Sequence, residues 1–239
     1  MKPVVEAIIM VQVHRTRVKI CGIRSLAEAL AAVDCGAEAI GFNFFDQSVR
    51  FLRAEDAAAI AFGLPPFVSR VGLFVNASPD FVHSVLSICP LELLQFHGDE
   101  DENYCRQFDV PYIKAIRHKN AELTARMAKG FGSAAAILLD AYVPSQYGGT
   151  GERFDWSTIP AIDKPLMVAG GLRADNVEAL IEAVGPYAVD VCGGVESSPG
   201  VKSLEKMGAF VGAVGAADWS RKAVERPALN KAEEVVKEN

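Results

Sequence analysis

From Thr16 to about Gly215 the chain alternates between short, almost wholly apolar runs and longer Ala-rich amphipathic runs. The apolar runs are Arg17–Ile20, Ala39–Phe44, Val68–Phe74, Leu91–Phe96, Tyr112–Ile116, Ala135–Leu139, Leu166–Ala169 and Ala188–Val191. None alternates cleanly between polar and apolar, which is the signature of parallel strands buried on both faces. The intervening runs have the period of helices: Ser25–Asp34, Ala54–Phe62, Pro79–Ile88, Glu102–Phe108, Ala121–Ala128, Ala174–Ala183 and Ser203–Val214, with a shorter irregular element around Trp156–Ile159. Punctuation supports them. Ser25 followed by Glu28 reads as a capping box and Gly36 as a helix stop; Ser78-Pro79 and Asp175-Asn176 read as helix starts.

Eight strand–helix alternations allow a closed barrel or a doubly wound open sheet. The count of eight, and the absence of G-x-G-x-x-G after the first strand, favour a closed, parallel, eight-stranded (βα)8 TIM barrel over residues 16–215 as one domain. Residues 1–15 precede it, as a strand-like plug or a loose extension. From Ala216 to Asn239 the composition turns polar and charged around Pro227, predicting a solvated tail.

The 239-residue length suits one such barrel. A net charge of -6 and a pI near 5.3 argue against a nucleic-acid footprint, but leave room for a small anionic substrate held by local N–H groups and an Arg. Five cysteines without a C-x-x-C pair suggest neither a disulfide framework nor a zinc site. The four scattered histidines offer no metal-ligand spacing, so no metal is expected. Val4–Val13 is too short and too interrupted to span a membrane. A cytoplasmic protein without membrane partner follows, as a monomer or homodimer.

In such a barrel chemistry sits where strands end. The rim then holds Cys21 after the first strand, Asn43 and the Phe45–Arg50 loop after the second, and His97 after the fourth. Asp140 follows the sixth strand, Gly170-Gly171 the seventh, and Cys192-Gly193-Gly194 the eighth. Paired glycines on the last two strands, where many barrels bind phosphate, suit an anion held by backbone N–H groups; tight turns are the plainer alternative. Cys21 and Asp140 are a thiol and a carboxyl able to divide base and acid work, although a buried structural Cys and a capping Asp fit the spacing equally.

The stretch VKICGIRSLAEALAAVDCGAEAIGFNF resembles the amino-terminal signature of phosphoribosylanthranilate isomerases. The resemblance continues through VGLFVNASPD, LLQFHGDE, LLDAY…YGGTGERFDW, AGGLRADNVEALI and AVDVCGGVE, covering about residues 16–213. It implies an Amadori rearrangement of a phosphorylated small molecule in tryptophan biosynthesis, without a cofactor. It also implies roles: Cys21 as general base, Asp140 as general acid, and Arg50 on the anthranilate carboxylate. Asp190 would contact the ribose or orient the phosphate loop, and His97 would shape the pocket wall. One departure stands out. Many relatives have a hydroxyl residue where this chain has Cys192, so phosphate binding by Gly170, Gly171, Cys192, Gly193 and Gly194 would lean on backbone N–H groups. At the mouth of an anion site Cys192 is expected either as a reactive thiolate or, turned into the wall, as a small apolar group. The competing functions are another phosphate-binding barrel enzyme, or a non-catalytic phospho-ligand barrel. Retention of both Cys21 and Asp140 speaks against each.

Overall fold

A computed structural model describes residues 15–141 and 154–237, with side chains up to Arg221. Eight parallel strands close into a barrel in chain order. They are β1 (Arg17–Cys21), β2 (Ala39–Asn43), β3 (Ser69–Phe74), β4 (Leu93–Phe96), β5 (Tyr112–His118), β6 (Ala136–Ala141), β7 (Leu166–Val168) and β8 (Ala188–Val191). Closure comes from β8 pairing β1, with Lys19 opposite Asp190 and Ile20 opposite Val191.

The helices α1 (Leu26–Asp34), α2 (Ala54–Phe62), α3 (Pro79–Ile88), α4 (Glu102–Cys105), α5 (Ala121–Lys129), α6 (Val177–Val184) and α7 (Leu204–Lys237) follow their strands; a 3-10 turn at Trp156–Thr158 precedes β7. Local chemistry sets their starts. Ser25 Oγ accepts from Glu28 N at 3.2 Å, while the Glu28 carboxylate reaches back to Arg24 N rather than to Ser25. Ser78 caps α3 ahead of Pro79. The start expected at Asp175-Asn176 is where α6 begins, with Asn176 at its N-cap position, but the Asn176 side chain does not cap the helix: it accepts from Arg173 N and donates to Gly171 O, each at 2.9 Å.

Two apolar layers arise from the alternation of each strand. Outward residues such as Ile20, Phe42, Phe96, Ile137, Leu139 and Val189 pack under the helices. Inward residues such as Val71, Ile113, Leu138, Met167 and Ala188 fill the barrel. That parity places the chemistry. Two residues beyond inward Leu138 comes Asp140, and two beyond inward Ala188 comes Asp190. Cys21 and Asp140 are therefore not loop residues beyond the apolar runs but the ends of β1 and β6 themselves.

Three features differ from the sequence reading. A small antiparallel hairpin, β9 (Glu196–Ser198) with β10 (Val201–Lys202), follows β8. The last helix continues past Val214 to Lys237. Ala217 and Asp218 are buried, and the Asp218 carboxylate accepts from Thr16 N at 2.7 Å and Thr16 Oγ1 at 2.8 Å. The stretch from 216, expected as a solvated tail on composition, thus begins inside the packing, because one long-range polar contact outweighs its polarity. Of the N-terminal extension, residues 1–14 lie outside the described residues, as do 142–153, which hold most of the YGGTGERFDW segment. No helix among the described residues is long and apolar enough to cross a membrane.

Candidate active site

A cavity of about 750 Å³ opens at the carboxyl ends of the strands, and all ten residues singled out from the sequence line it: Cys21, Arg50, His97, Asp140, Gly170, Gly171, Asp190, Cys192, Gly193 and Gly194. Asn43, Ser48, Gln95 and Leu172 join them.

On the β1–β8 side the barrel interior holds buried charge. Lys19 Nζ sits 2.8 Å from Asp190 Oδ1, with the lysine side chain 1 % exposed. Burial opposes the charge on Lys19, but Asp190 and the Cys21 sulfur outweigh it and keep the ammonium above the usual lysine range. Burial pushes Asp190 up to about 6 against the pull of Lys19. Above this pair, Lys202 Nζ meets Glu196 Oε1 at 2.9 Å. Arg50 takes the same carboxylate in two parallel bonds, Nε to Oε1 at 2.7 Å and Nη2 to Oε2 at 2.8 Å. Burial resists ionisation of Glu196, yet these two cations hold it at about 2. The Nε–Nη2 edge of Arg50 is therefore occupied, and any further anion must meet the rest of the guanidinium.

Cys21 stands between these layers. A hydrogen bond from Cys192 holds its thiol well below the ordinary range; burial opposes this, and the Lys19 and Lys202 charges reinforce it. Cys192 moves the other way, pushed well up by the same hydrogen bond and by burial. Of the two readings of Cys192, the geometry favours the small thiol turned into the wall. Its side chain packs on Cys21, and its sulfur lies 3.9 Å from Glu196 Oε1, a neighbour that repels negative charge there. Cys89 and Cys105 are buried as expected, whereas Cys35 is only partly so.

On the β4–β6 side no lysine is among the described residues that line the cavity. Asp140 Oδ1 accepts from its neighbour Ala141 N at 2.8 Å. Its Oδ2 lies 3.1 Å from His97 Nε2, and His97 Nδ1 lies 2.9 Å from the Gln95 amide nitrogen. The buried Gln95 Oε1 has no partner among the described residues. With the amide as placed, His97 donates to a carboxylate. With the amide turned, Gln95 Oε1 accepts from Nδ1 and Asp140 becomes the donor to Nε2. Behind His97, Lys114 Nζ bonds Gly98 O at 2.9 Å and Glu100 at 2.8 Å, fixing the turn that follows β4.

The glycine loops close the cavity. A Cβ on Gly170 (φ +87°) would lie 2.9 Å from Asp140 Oδ1 and 2.8 Å from Ala141 N, so any side chain there collides with the acid. A Cβ on Gly194 would lie 1.8 Å from Leu172 O. The two loops are thus in backbone contact; tight approach requires glycine at both positions, and the left-handed backbone requires it at Gly170 as well. Sequence reasoning missed Lys19, Gln95, Glu196 and Lys202. Lys19 and Gln95 were within reach, since both share strand parity with a residue already singled out.

A closed parallel barrel with thiol, carboxyl and glycine loops converging on one strand-end cavity is the architecture of a (βα)8-barrel enzyme. Comparisons with known proteins make this specific. The family model for N-(5'phosphoribosyl)anthranilate (PRA) isomerase matches residues 18–213. The N-(5'-phosphoribosyl)anthranilate isomerase of Pseudomonas fluorescens (strain Pf0-1) is 51 % identical over 199 residues, 83 % of this chain and 98 % of that one. Among solved structures, the phosphoribosyl anthranilate isomerase of Thermotoga maritima superposes with a TM-score of 0.77 at 39 % identity, covering 84 % of this chain and 99 % of that one. Another, in complex with reduced 1-(o-carboxyphenylamino)-1-deoxyribulose 5-phosphate, gives 0.74 at 37 % identity with the same coverage. The chain belongs to the N-(5'-phosphoribosyl)anthranilate isomerase family and is an isomerase.

Proposed function

We propose that this enzyme converts N-(5'-phosphoribosyl)anthranilate to 1-(2-carboxyphenylamino)-1-deoxyribulose 5-phosphate in tryptophan biosynthesis, with Asp140 as general acid and Cys21 as general base. The observation that carries this reading is the contrast between the two groups: a thiol among cations and a carboxyl hydrogen-bonded to an imidazole, on one cavity. Asp140 gives a proton to the ribose ring oxygen, and the ring opens to an iminium. Cys21 takes the C2' proton and the C–H electrons form the enolamine; a proton then adds at C1' while the C2' hydroxyl loses its own, which leaves the ketone. Protons move within one molecule and nothing is oxidised or reduced overall, so the reaction calls for no cofactor or metal.

The anthranilate carboxylate is assigned to the part of the Arg50 guanidinium that Glu196 leaves uncovered. The phosphate is assigned to backbone N–H groups of the Gly170-Gly171 and Gly193-Gly194 loops. Asp190 serves first as the partner of Lys19 and contacts the ribose from the cavity floor. His97 holds Asp140 and passes it a proton. The same reading makes the protein a cytoplasmic enzyme of a small phosphorylated substrate, acting as a monomer or homodimer, with no nucleic-acid or membrane partner.

The test is the fluorescence decay of freshly made phosphoribosylanthranilate on addition of purified protein. Turnover in the ordinary enzymatic range, on the order of 1 s⁻¹ or above, is expected. A folded preparation that leaves the substrate to its spontaneous breakdown overturns the assignment.

A further inference from the structure

Cys192 lies next to Cys21 by construction of the sheet. Strands β1 and β8 pair in register through Lys19–Asp190 and Ile20–Val191, so the next rung brings residues 21 and 192 together across a strand spacing of about 4.8 Å. Their side chains pack against each other, and the Cys192 thiol has two acceptors in reach, the Cys21 sulfur and Glu196 Oε1 at 3.9 Å. The contact is close on its open side too, since a Cβ on Gly22 would lie 3.1 Å from Cys192 Sγ.

When one of the two thiols ionises, one proton remains for two sulfurs, and the surroundings decide which keeps it. Cys21 lies beside the Lys19 ammonium, since a Cβ on Gly41 would be 2.8 Å from Cys21 Sγ and 3.1 Å from Lys19 Nζ. Cys192 faces the Glu196 carboxylate at 3.9 Å. Lys202 Nζ donates to it at 3.7 Å, as well as to Glu196 at 2.9 Å and to the Cys192 carbonyl at 3.1 Å, so at Cys192 a carboxylate and an ammonium offset each other. Around the pair stand three cations, Lys19, Lys202 and Arg50, against two carboxylates, Asp190 and Glu196. The surplus is one positive charge, which a single thiolate balances and a second would reverse.

We infer that Cys192 is a positioning residue for the reaction: it keeps its proton and donates it to the Cys21 sulfur, so that the negative charge rests on Cys21. The inference deepens the proposed function, on which it rests for Cys21 acting as base. Its chemistry needs no oxidant. The thiol of Cys192 remains a thiol throughout, and its S–H stabilises the thiolate that Cys21 becomes on losing its one proton.

The test measures Cys21 directly as well as through activity. The rate of alkylation of Cys21 by iodoacetamide, resolved by peptide mass spectrometry, is followed against pH in the parent protein and in Cys192→Ala, Cys192→Val and Cys192→Ser. Valine refills the volume without a donor, whereas serine keeps one. The pH profile of kcat/KM is recorded for the same four proteins. Both donor-free variants are expected to raise the alkylation midpoint by about one to two pH units, the size of one hydrogen bond to a charged group. Cys192→Ser should restore it, and the basic shift should reappear in kcat/KM. An unmoved alkylation midpoint in whichever donor-free variant folds overturns the inference. A midpoint that moves while the kcat/KM profile does not would leave the hydrogen bond standing and remove Cys21 as the base.

Discussion

The two sides of the cavity solve opposite problems. At β1–β8 the protein gathers three cations and two carboxylates around a thiol, all in or above the barrel interior. At β4–β6 it surrounds Asp140 with an imidazole and an amide. A thiol has to be helped to lose its proton near neutral pH, and buried positive charge does that. An ammonium in contact with a proton-delivering carboxyl would hold it ionised; the hydrogen-bond partners of Asp140 among the described residues are instead His97 and a backbone N–H. Placing Lys19 and Lys202 on one side, with Gln95 and His97 on the other, separates the two environments within a single cavity.

That division is broken most directly by removing either pole. Cys21→Ala and Asp140→Asn are each expected to lower kcat by about 10²–10⁴-fold while leaving the fold intact. Near-normal kcat with unchanged thermal melts in either variant would dissolve the assignment. Next in size is Lys19→Met, which leaves Asp190 buried without its partner at a cost of about 3–5 kcal/mol. Because the Asp190 carboxyl is already pushed up to about 6, it escapes part of that cost by taking a proton. Urea melts should therefore show a smaller loss at pH 5 than at pH 8. An equal loss at both would mean that the charge of Lys19 is not what Asp190 needs.

Arg50→Ala should weaken substrate binding by about 1.5–3 kcal/mol through the carboxylate. KM and inhibition by a carboxylate-free ligand separate this from the loss of Glu196 anchoring. If both ligands suffer alike, Arg50 serves Glu196 alone. The smallest effect concerns acid stability. Glu196 is held at about 2, below its ordinary 4.5. The stability it contributes is present above the ordinary value and drains away as pH falls through the folded one. Glu196→Gln should thus flatten the decline in melting temperature between about pH 4.5 and 2. An unchanged slope would show that the Arg50–Glu196–Lys202 cluster is electrostatically idle.

The barrel was legible because its strands are apolar on both faces and its helices are punctuated. The limits of that reading have physical causes. Apolar runs end where side chains turn polar, but strands do not, so β5 and β6 run two residues further, to His118 and Ala141. The β9–β10 strands, of three and two residues, carry no period that a pattern could reveal. Lys202 and Glu196 gain meaning only when that hairpin folds over Cys192. Family resemblance located Cys21 and Asp140, yet said nothing of why their surroundings differ. Asn176, expected merely as a helix start, clamps the Gly171 carbonyl and so shapes the loop assigned to phosphate.

The pairing of Lys19 with Asp190 spans 171 residues of chain. During synthesis β1 leaves the ribosome long before β8 exists, and until the ring closes Lys19 has no carboxylate and Cys21 no thiol neighbour. A nascent or truncated chain therefore carries Cys21 with ordinary acidity, exposed to water and slow to react. Activation of the sulfur is thus a product of closure: Cys21 gains its acidity only when the last strand has found the first.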